Sequence, residues 1–252
     1  MQWDDEYFYI AAELEESHVW GTLTQHDAVI FHDNDFELFV DPNSDSHEYF
    51  EFEMNALNTG WDLFLPKPYK DGGSADNGWG IPGLKTAARV NGTLNDSRNR
   101  DKGWTLEMGI PWKAFGQAAR MPLPPVAGHV WRVNFSRVEW RHEIHEGKYG
   151  RVPGTKEDNW VWSPQGKVNM HLPERWGYVQ FAEKAGGGFG GDPAWATKRP
   201  PAREWKCGIR PTGCGEPALA ACAFARTRKS SAIKEALPES QPRAAWPPRR
   251  SA

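Results

Sequence analysis

The first 181 residues contain no cysteine, and no stretch of the 252-residue chain approaches 18 consecutive apolar residues. The first absence excludes a disulfide framework for this part of the chain, and the second excludes a membrane-spanning helix of ordinary length. The opening residues, MQWDDEYFYI, lack the basic segment and apolar core of a signal peptide. All three cysteines lie in the last 71 residues, at spacings that match no common zinc motif.

Basic side chains are also scarce in residues 1–181, which hold 17 Lys and Arg against 27 Asp and Glu, a net charge of −10. Residues 182–252 hold 13 against 6, a net charge of +7, in a sequence rich in Ala, Pro and Gly. An acidic domain is a poor partner for phosphate backbones, so we expect no nucleic-acid ligand. The change in composition predicts a folded domain over 1–181 and a disordered tail over 182–252, whose abrupt onset also fits an out-of-frame end.

Apolar residues in the first 181 positions mostly alternate with polar ones, which is typical of strands with one buried face. Nine segments follow this rule, and Gly, Pro, Asn and Asp clusters separate them: Tyr7–Leu14, Asp35–Val40, Tyr49–Met54, Trp61–Leu65, Leu84–Val90, Trp104–Ile110, Val130–Trp140, Trp160–Trp162 and Trp176–Phe181. They predict an all-β protein with an antiparallel, jelly-roll-like β-sandwich. Only Trp112–Ala119 has helical spacing. Because a strand begins within the first six residues, we expect the sandwich to lack its first strands.

Tryptophan is in excess, with 11 of the 14 in residues 1–181. Five of them lie in or beside loops rich in Gly, Asn and Pro: Trp61, Trp79, Trp140, Trp160 and Trp162. Indole rings stack on the flat apolar faces of sugars, so this placement favours carbohydrate binding. The alternative is that each of these side chains packs in the core or at a corner of the sandwich.

Two carboxylates at a suitable separation are needed by a glycosidase, and several acidic residues are available: Glu37, Glu51, Glu53, Glu107 and Glu139. Most of them occupy outward positions of alternating strands, where we expect a solvated face. The pattern therefore predicts no catalytic pair, and we expect a protein that is not an enzyme.

The segment Asp41-Pro42-Asn43-Ser44-Asp45 has the spacing that opens a calcium loop. An EF-hand is excluded because Ser46 and Phe52 stand where that loop needs Gly and Glu. A structural calcium ion held by Asp41, Asn43 and Asp45 is one interpretation, and a simple turn is the other. The segment His142–Glu146 has its histidines three apart and predicts a polar hairpin loop rather than a zinc site.

Several ordered motifs resemble the carbohydrate-binding module family 9-like domains, of the DOMON-like β-sandwich group. They cover roughly residues 2–181: WDDEYFYIAA from Trp3, DNDFELFVDP from Asp33, GWTLEMGIPW from Gly103, RVNFSR from Arg132, NWVWSP from Asn159 and WGYVQF from Trp176. The resemblance implies a secreted or envelope module that binds polysaccharide without a chemical step, often with structural calcium. It also implies a partner enzyme acting on xylan- or cellulose-like glycans, whose catalytic domain is missing from this chain.

In that family a sugar is clamped between two tryptophans, and the resemblance places the clamp at Phe31 and Met170. It implies that Trp160 or Trp162 adds a stacking surface from an adjacent strand. The polar partners implied near that face are Asp33, Asn34, Glu37, Arg137, Glu139 and Asn169.

Three alternatives stay open from the sequence. The sandwich could be a structural spacer whose sugar site has decayed, since neither clamp position is Trp. It could bind haem through Met170, His171 or Met54, as some DOMON-type domains do with Met or His ligands. It could be a glycoside hydrolase that uses two of the carboxylates above.

Overall fold

The computed structural model describes residues 1–182 and the backbone of residues 221–225. These residues form thirteen strands: β1 Gln2–Trp3, β2 Tyr7–Glu15, β3 Asp35–Asp41, β4 Tyr49–Asn55, β5 Gly60–Leu65, β6 Lys85–Asn91, β7 Gly103–Pro111, β8 Val130–Glu139, β9 His142–His145, β10 Lys148–Arg151, β11 Asp158–Val161, β12 Gly177–Ala182 and β13 Ala221–Ala225. Helical structure in this part of the chain consists of four 3₁₀ turns: Ile30–His32, Tyr69–Asp71, Trp112–Phe115 and Pro173–Arg175.

The strands form two sheets and a separate hairpin. The smaller sheet has the order β1-β2-β7-β6, and the larger runs β13-β12-β8-β3-β4-β5, with β11 also paired to β8. All pairs are antiparallel except β12 with β13, which is parallel. The all-β, antiparallel prediction is confirmed, and each of the nine predicted segments overlaps an observed strand. The expected helix after Trp112 is a single 3₁₀ turn.

The core lies between the sheets and is built by the alternation seen in the sequence. From β7 the smaller sheet contributes Trp104, Leu106, Met108 and Ile110, and from β4 the larger sheet contributes Phe50, Phe52 and Met54. Trp131 on β8 is 1% exposed and makes edge contacts with Phe115 and Phe181, both with ring centroids 5.0 Å away. Burial of these large rings supplies most of the driving force for the sandwich.

The opposite face of the larger sheet is also covered, which the alternation did not predict. A second apolar cluster lies there, formed by Phe39, Tyr49, Leu63, Leu65 and Trp176. The segment 163–176 crosses this face, and Trp176 packs on Tyr49 with ring centroids 5.1 Å apart. The prediction of a solvated outer face at Glu37, Glu51 and Glu53 is therefore wrong: these side chains are 5%, 4% and 2% exposed.

The predicted disordered tail falls mostly on residues outside those that the structure describes. Within 182–252, Ala182 ends β12, and the backbone of Ala221–Ala225 forms β13 beside it. Across the described parts of the chain, none of the helical segments is long and apolar enough to traverse a bilayer.

Candidate functional site

A pocket of about 330 Å³ opens on the covered face of the larger sheet. Its residues come from β3, β4, β5, two 3₁₀ turns and the segment 168–171. They comprise aromatic rings, three carboxyl groups and a short wall of mixed polarity: Phe31, Trp61, Tyr69, Glu37, Glu51, Glu53, Leu63, Val168, Asn169, Met170 and His171. A concave site lined by rings with a few convergent polar groups is the usual form of a small-ligand site.

Phe31 and Trp61 form an aromatic pair on one side of the pocket. Their ring centroids are 6.3 Å apart and the rings are tilted by 32°. The backbone of Phe31 is held at both ends, because its N–H donates to Glu53 Oε2 at 2.9 Å and its carbonyl accepts the Trp140 Nε1–H at 2.8 Å. The Trp61 Nε1–H has no hydrogen-bond partner among the described residues. The pair therefore offers a stacking surface, and the indole N–H of Trp61 beside it is buried and unpaired.

The opposite wall is the segment 168–171, which is held by hydrogen bonds within itself, to Trp176 and to Tyr49 on β4. The Met170 carbonyl accepts the Trp176 Nε1–H at 2.8 Å, and Asn169 Oδ1 accepts the His171 N–H at 3.0 Å. His171 Nδ1 lies 2.9 Å from the Tyr49 hydroxyl. Burial lowers the pKa of His171 to about 4, so its ring is neutral at physiological pH.

The carboxyl groups of Glu37, Glu51 and Glu53 form the floor of the pocket. Glu37 on β3 stands directly opposite Glu53 on β4, and Glu51 lies two residues away on the same face. Burial raises the pKa of Glu37 to about 7. It raises the pKa of Glu51 and Glu53 well above the usual range, and neighbouring carboxylates add to the effect. Glu37 Oε2 and Glu51 Oε2 are both buried, and neither has a hydrogen-bond partner within the geometric limits among the described residues.

Four of the ten residues predicted to bind sugar meet in this pocket: Phe31, Glu37, Asn169 and Met170. Asp33 and Asn34 lie outside the pocket, and their side chains form hydrogen bonds within the protein. The Asp33 carboxylate accepts hydrogen bonds from the Thr22 and Leu23 backbone. Asn34 donates to Glu16 Oε1 at 2.6 Å and accepts the Trp140 N–H at 2.7 Å.

The other four predicted residues lie on or beside β8 and β11, away from the pocket. The Arg137 guanidinium contacts Glu16 Oε2 at 3.1 Å and the Glu15 carbonyl at 2.8 Å, with Glu139 at 3.6 Å. Trp160 stands opposite Arg137 in the β11–β8 register. Trp162 packs edge-on against Phe135 at 5.7 Å, at the border of the sandwich core.

The predicted calcium loop forms a tight turn between β3 and β4. The Asp41 carboxylate accepts backbone N–H groups of Asn43, Ser44 and Ser46. Asn43 Nδ2 donates to Asp45 Oδ2 at 2.9 Å on the exposed side of the turn. These bonds account for the turn interpretation, and calcium binding at this loop stays a prediction.

The three residues named for haem lie on opposite sides of β4. Met54 is fully buried in the core between the two sheets, whereas Met170 and His171 line the pocket on the other face. Met54 and either of the other two therefore cannot ligate one iron from opposite sides.

Residues that the sequence did not assign to the sugar site include Trp61, Tyr69, Glu51 and Glu53. Trp61 carried a signal, because it was among the loop tryptophans suited to stacking. The two glutamates share a face of β4 that faces Glu37 across the ladder. The sequence signal for the pocket floor is therefore a set of glutamates at alternating positions of two neighbouring strands.

Comparison with known proteins gives one family match. Residues 1–123 match the sequence model of the family described as carbohydrate family 9 binding domain-like. This range includes Phe31, Trp61 and the three floor glutamates, and it ends before the wall at 168–171. No curated protein matches the chain.

Solved structures that match this chain include the following two. A carbohydrate binding module family 9 from Caldicellulosiruptor kristjanssonii, in complex with glucose, has 15% identity and a TM-score of 0.45, covering 71% of this chain and 72% of that one. A protein provisionally described as carbohydrate-binding, from Bacteroides uniformis ATCC 8492, has 18% identity and a TM-score of 0.49, covering 70% and 74%.

Proposed function

We propose that this chain, whose residues 1–123 match the model of the carbohydrate family 9 binding domain-like family, binds carbohydrate, without a chemical step, in the pocket between the Phe31–Trp61 pair and the segment 168–171. The observation that carries the proposal is the pairing of an aromatic surface with unused polar atoms in one concave site. A sugar ring has an apolar face for the rings and hydroxyls for the Trp61 Nε1–H and the floor carboxyls.

Affinity at such a site is expected to be modest. The ligand is small, and each hydroxyl exchanges a hydrogen bond with water for one with protein at little net gain. Most of the binding free energy should therefore come from stacking on the aromatic pair. We therefore expect the largest effect of any single substitution at Trp61, whose ring is partly exposed and lines the pocket.

Replacing Trp61 by alanine is expected to weaken glycan binding by about tenfold or more, since a ring contact worth roughly 0.5–1.5 kcal/mol is lost together with buried area. Isothermal titration with glucose, xylose and their short oligosaccharides measures the change. Trp160→Ala is the matched control, because Trp160 is a partly buried indole outside the pocket. Equal loss in both variants would contradict the site, and no binding by well-folded wild-type protein would favour the spacer alternative.

The finer target within this proposal is a plant-type polysaccharide such as xylan or cellulose, met outside the cell and attacked by an associated enzyme. Its support is the resemblance of the ordered motifs to carbohydrate-binding module family 9-like domains. Affinity electrophoresis on gels containing xylan or soluble cellulose derivatives tests it. If neither gel retards the protein but free sugars bind, the proposal of carbohydrate binding stands and the proposal of a xylan or cellulose target fails.

A glycoside hydrolase is the second candidate, favoured by one observation: Glu37, Glu51 and Glu53 converge in a pocket with raised pKa values. Reducing-sugar release from xylan or cellulose by the purified chain distinguishes the two candidates. The binding proposal predicts none. Hydrolysis that Glu53→Gln abolishes would establish the enzyme instead.

A further inference from the structure

Two histidines from distant parts of the sequence meet beside the hairpin formed by β9 and β10. His18 follows β2, and His142 is the first residue of β9. Their ring centroids are 4.8 Å apart, the rings are tilted by 55°, and both side chains are partly exposed. The sequence pattern paired His142 with His145, but the His145 side chain is 76% exposed and contacts Glu143.

Tyr149 on β10 supports both histidine rings. Its hydroxyl lies 2.9 Å from His18 Nδ1, and its ring makes an edge contact with His142 at 5.4 Å. Its ring also stacks on the buried Trp20, with centroids 6.0 Å apart and 20° between the planes. In the tautomer whose Nδ1–H donates to this hydroxyl, His18 keeps the lone pair on Nε2. Histidines that bind a metal usually donate their second ring nitrogen to a fixed partner in this way.

The His142 ring is held by packing alone. Within the described parts of the chain, neither of its ring nitrogens makes a hydrogen bond or an ion pair. Burial and the neighbouring His18 lower the pKa of His142, so the ring is neutral near pH 7, which is the form that binds a metal. Burial raises the pKa of Tyr149, so the phenol stays protonated and serves as a partner of His18 rather than as a ligand.

The charges beside the two rings favour a cation. Glu139, three residues before His142, is 37% exposed and acts on that ring electrostatically. Arg137 lies 3.6 Å from Glu139 but makes its shorter contact with Glu16, at 3.1 Å. Residues 1–181 carry a net charge of −10, which raises the local concentration of cations. Nearby carboxylates therefore offset the charge of a divalent cation at this position.

We propose that His18 and His142 bind a divalent transition-metal ion of the zinc or copper class, that Tyr149 positions His18 for this role, and that water completes the coordination. Imidazole nitrogen is a ligand that suits zinc, copper and nickel. With zinc–nitrogen bonds of about 2.0–2.1 Å, two imidazoles at a tetrahedral angle bring their centroids to roughly 5 Å, and the observed separation is 4.8 Å. The proposal does not depend on the proposed function, because neither histidine lines the sugar pocket.

A bound ion links two segments that are far apart in the sequence. The hairpin forms a two-stranded sheet of its own. The segment after β2 is anchored elsewhere, since the Val19 N–H donates to Asp101 Oδ2 at 2.7 Å. A ligand that binds only the folded state raises the midpoint of unfolding. We therefore expect Zn²⁺ to raise the thermal unfolding midpoint of the parent protein and to leave that of His142→Gln unchanged, and an equal rise in both would overturn the site.

Calorimetric titration of the full chain with ZnCl₂ tests the site. The parent protein carries Cys207→Ser, Cys214→Ser and Cys222→Ser, so that thiols do not compete for the metal. We expect one saturable site, and at least tenfold weaker Zn²⁺ binding in His18→Gln and in His142→Gln.

His145→Gln is the matched control, because His145 is an exposed histidine of the same hairpin, and it should bind Zn²⁺ as the parent does. Tyr149→Phe keeps the ring packing and removes the partner of His18 Nδ1, so we expect about tenfold weaker binding. Absence of saturable binding in the parent, or equal affinity in His142→Gln and His145→Gln, would overturn the proposal. Parent-like affinity in Tyr149→Phe would overturn the positioning role of Tyr149.

Electron paramagnetic resonance of the parent protein loaded with one equivalent of Cu²⁺ tests the ligands without relying on the stability of a variant. The nitrogen couplings report the number of imidazoles bound to the metal. We expect two in the parent and in His145→Gln. One imidazole or none in the parent would overturn the proposal.

Discussion

Replacing Arg137 by alanine is expected to destabilise the folded domain by about 3–5 kcal/mol. The guanidinium is nearly buried and donates to Glu16 Oε2 and to the Glu15 carbonyl. Glu16 is itself 6% exposed and also accepts hydrogen bonds from Asn34 and the Trp104 indole. Removing the cation leaves a buried carboxylate without its counter-charge, and such a loss costs much more than an exposed ion pair is worth.

Urea unfolding followed by tryptophan fluorescence measures this change in free energy. The double variant Glu16→Met with Arg137→Met should be less destabilised than Arg137→Ala, because no uncompensated charge stays in the interior. Arg98→Ala is the surface control, since that side chain is 85% exposed in its pair with Asp96. The assigned role would be contradicted if Arg137→Ala lost less than about 1 kcal/mol of unfolding free energy. It would also be contradicted if the double variant were less stable than Arg137→Ala.

The Arg137 result also separates stability from binding. The residue was expected near the sugar from motif resemblance, but the structure places it beside Glu16, outside the pocket. Folded Arg137→Ala protein should therefore bind glycan with the affinity of wild type. A selective loss of glycan affinity without loss of stability would return Arg137 to the binding site.

Sandwich strands were predictable because their information is local. In β3, Phe36, Leu38 and Val40 are two residues apart and share one face, and in β4 Phe50, Phe52 and Met54 do the same. A period of two fixes which side chains share a face, and large apolar residues on that face require a facing layer. The core between the two sheets follows from these runs alone.

The second covered face was not predictable by the same rule. Glu51 and Glu53 alternate with apolar residues in a way that normally marks solvent exposure. Their burial depends on the segment 163–176, more than 100 residues further along the chain, which crosses β3 and β4. The hydrogen-bond partners of Asp33 and Arg137 are likewise known only from the folded structure. Motif resemblance named Phe31, Glu37, Asn169 and Met170, which line one pocket in the structure, and only the fold adds Trp61, Glu51 and Glu53 to that lining.

Trp176 connects the stability of that second face to the pocket, and Trp176→Ala is expected to destabilise the domain by about 3–5 kcal/mol. Its ring is fully buried against Phe39 and Tyr49, with centroids 5.4 and 5.1 Å away. Its indole N–H also holds the Met170 carbonyl at 2.8 Å. Loss of the ring creates a cavity and releases the wall, so glycan affinity should fall together with stability. Thermal unfolding and titration of the same sample measure both.

Trp176→Phe separates the two contributions of this residue. Phenylalanine keeps most of the apolar contact with Phe39 and Tyr49 but removes the donor to Met170, whose carbonyl then retains only the Leu172 N–H. We expect a smaller stability loss, of about 1–2 kcal/mol, while the fall in glycan affinity persists because the wall is no longer fixed. Wild-type affinity in Trp176→Phe would show that packing alone positions the segment 168–171. An affinity loss equal to that of Trp176→Ala would assign the positioning to one hydrogen bond.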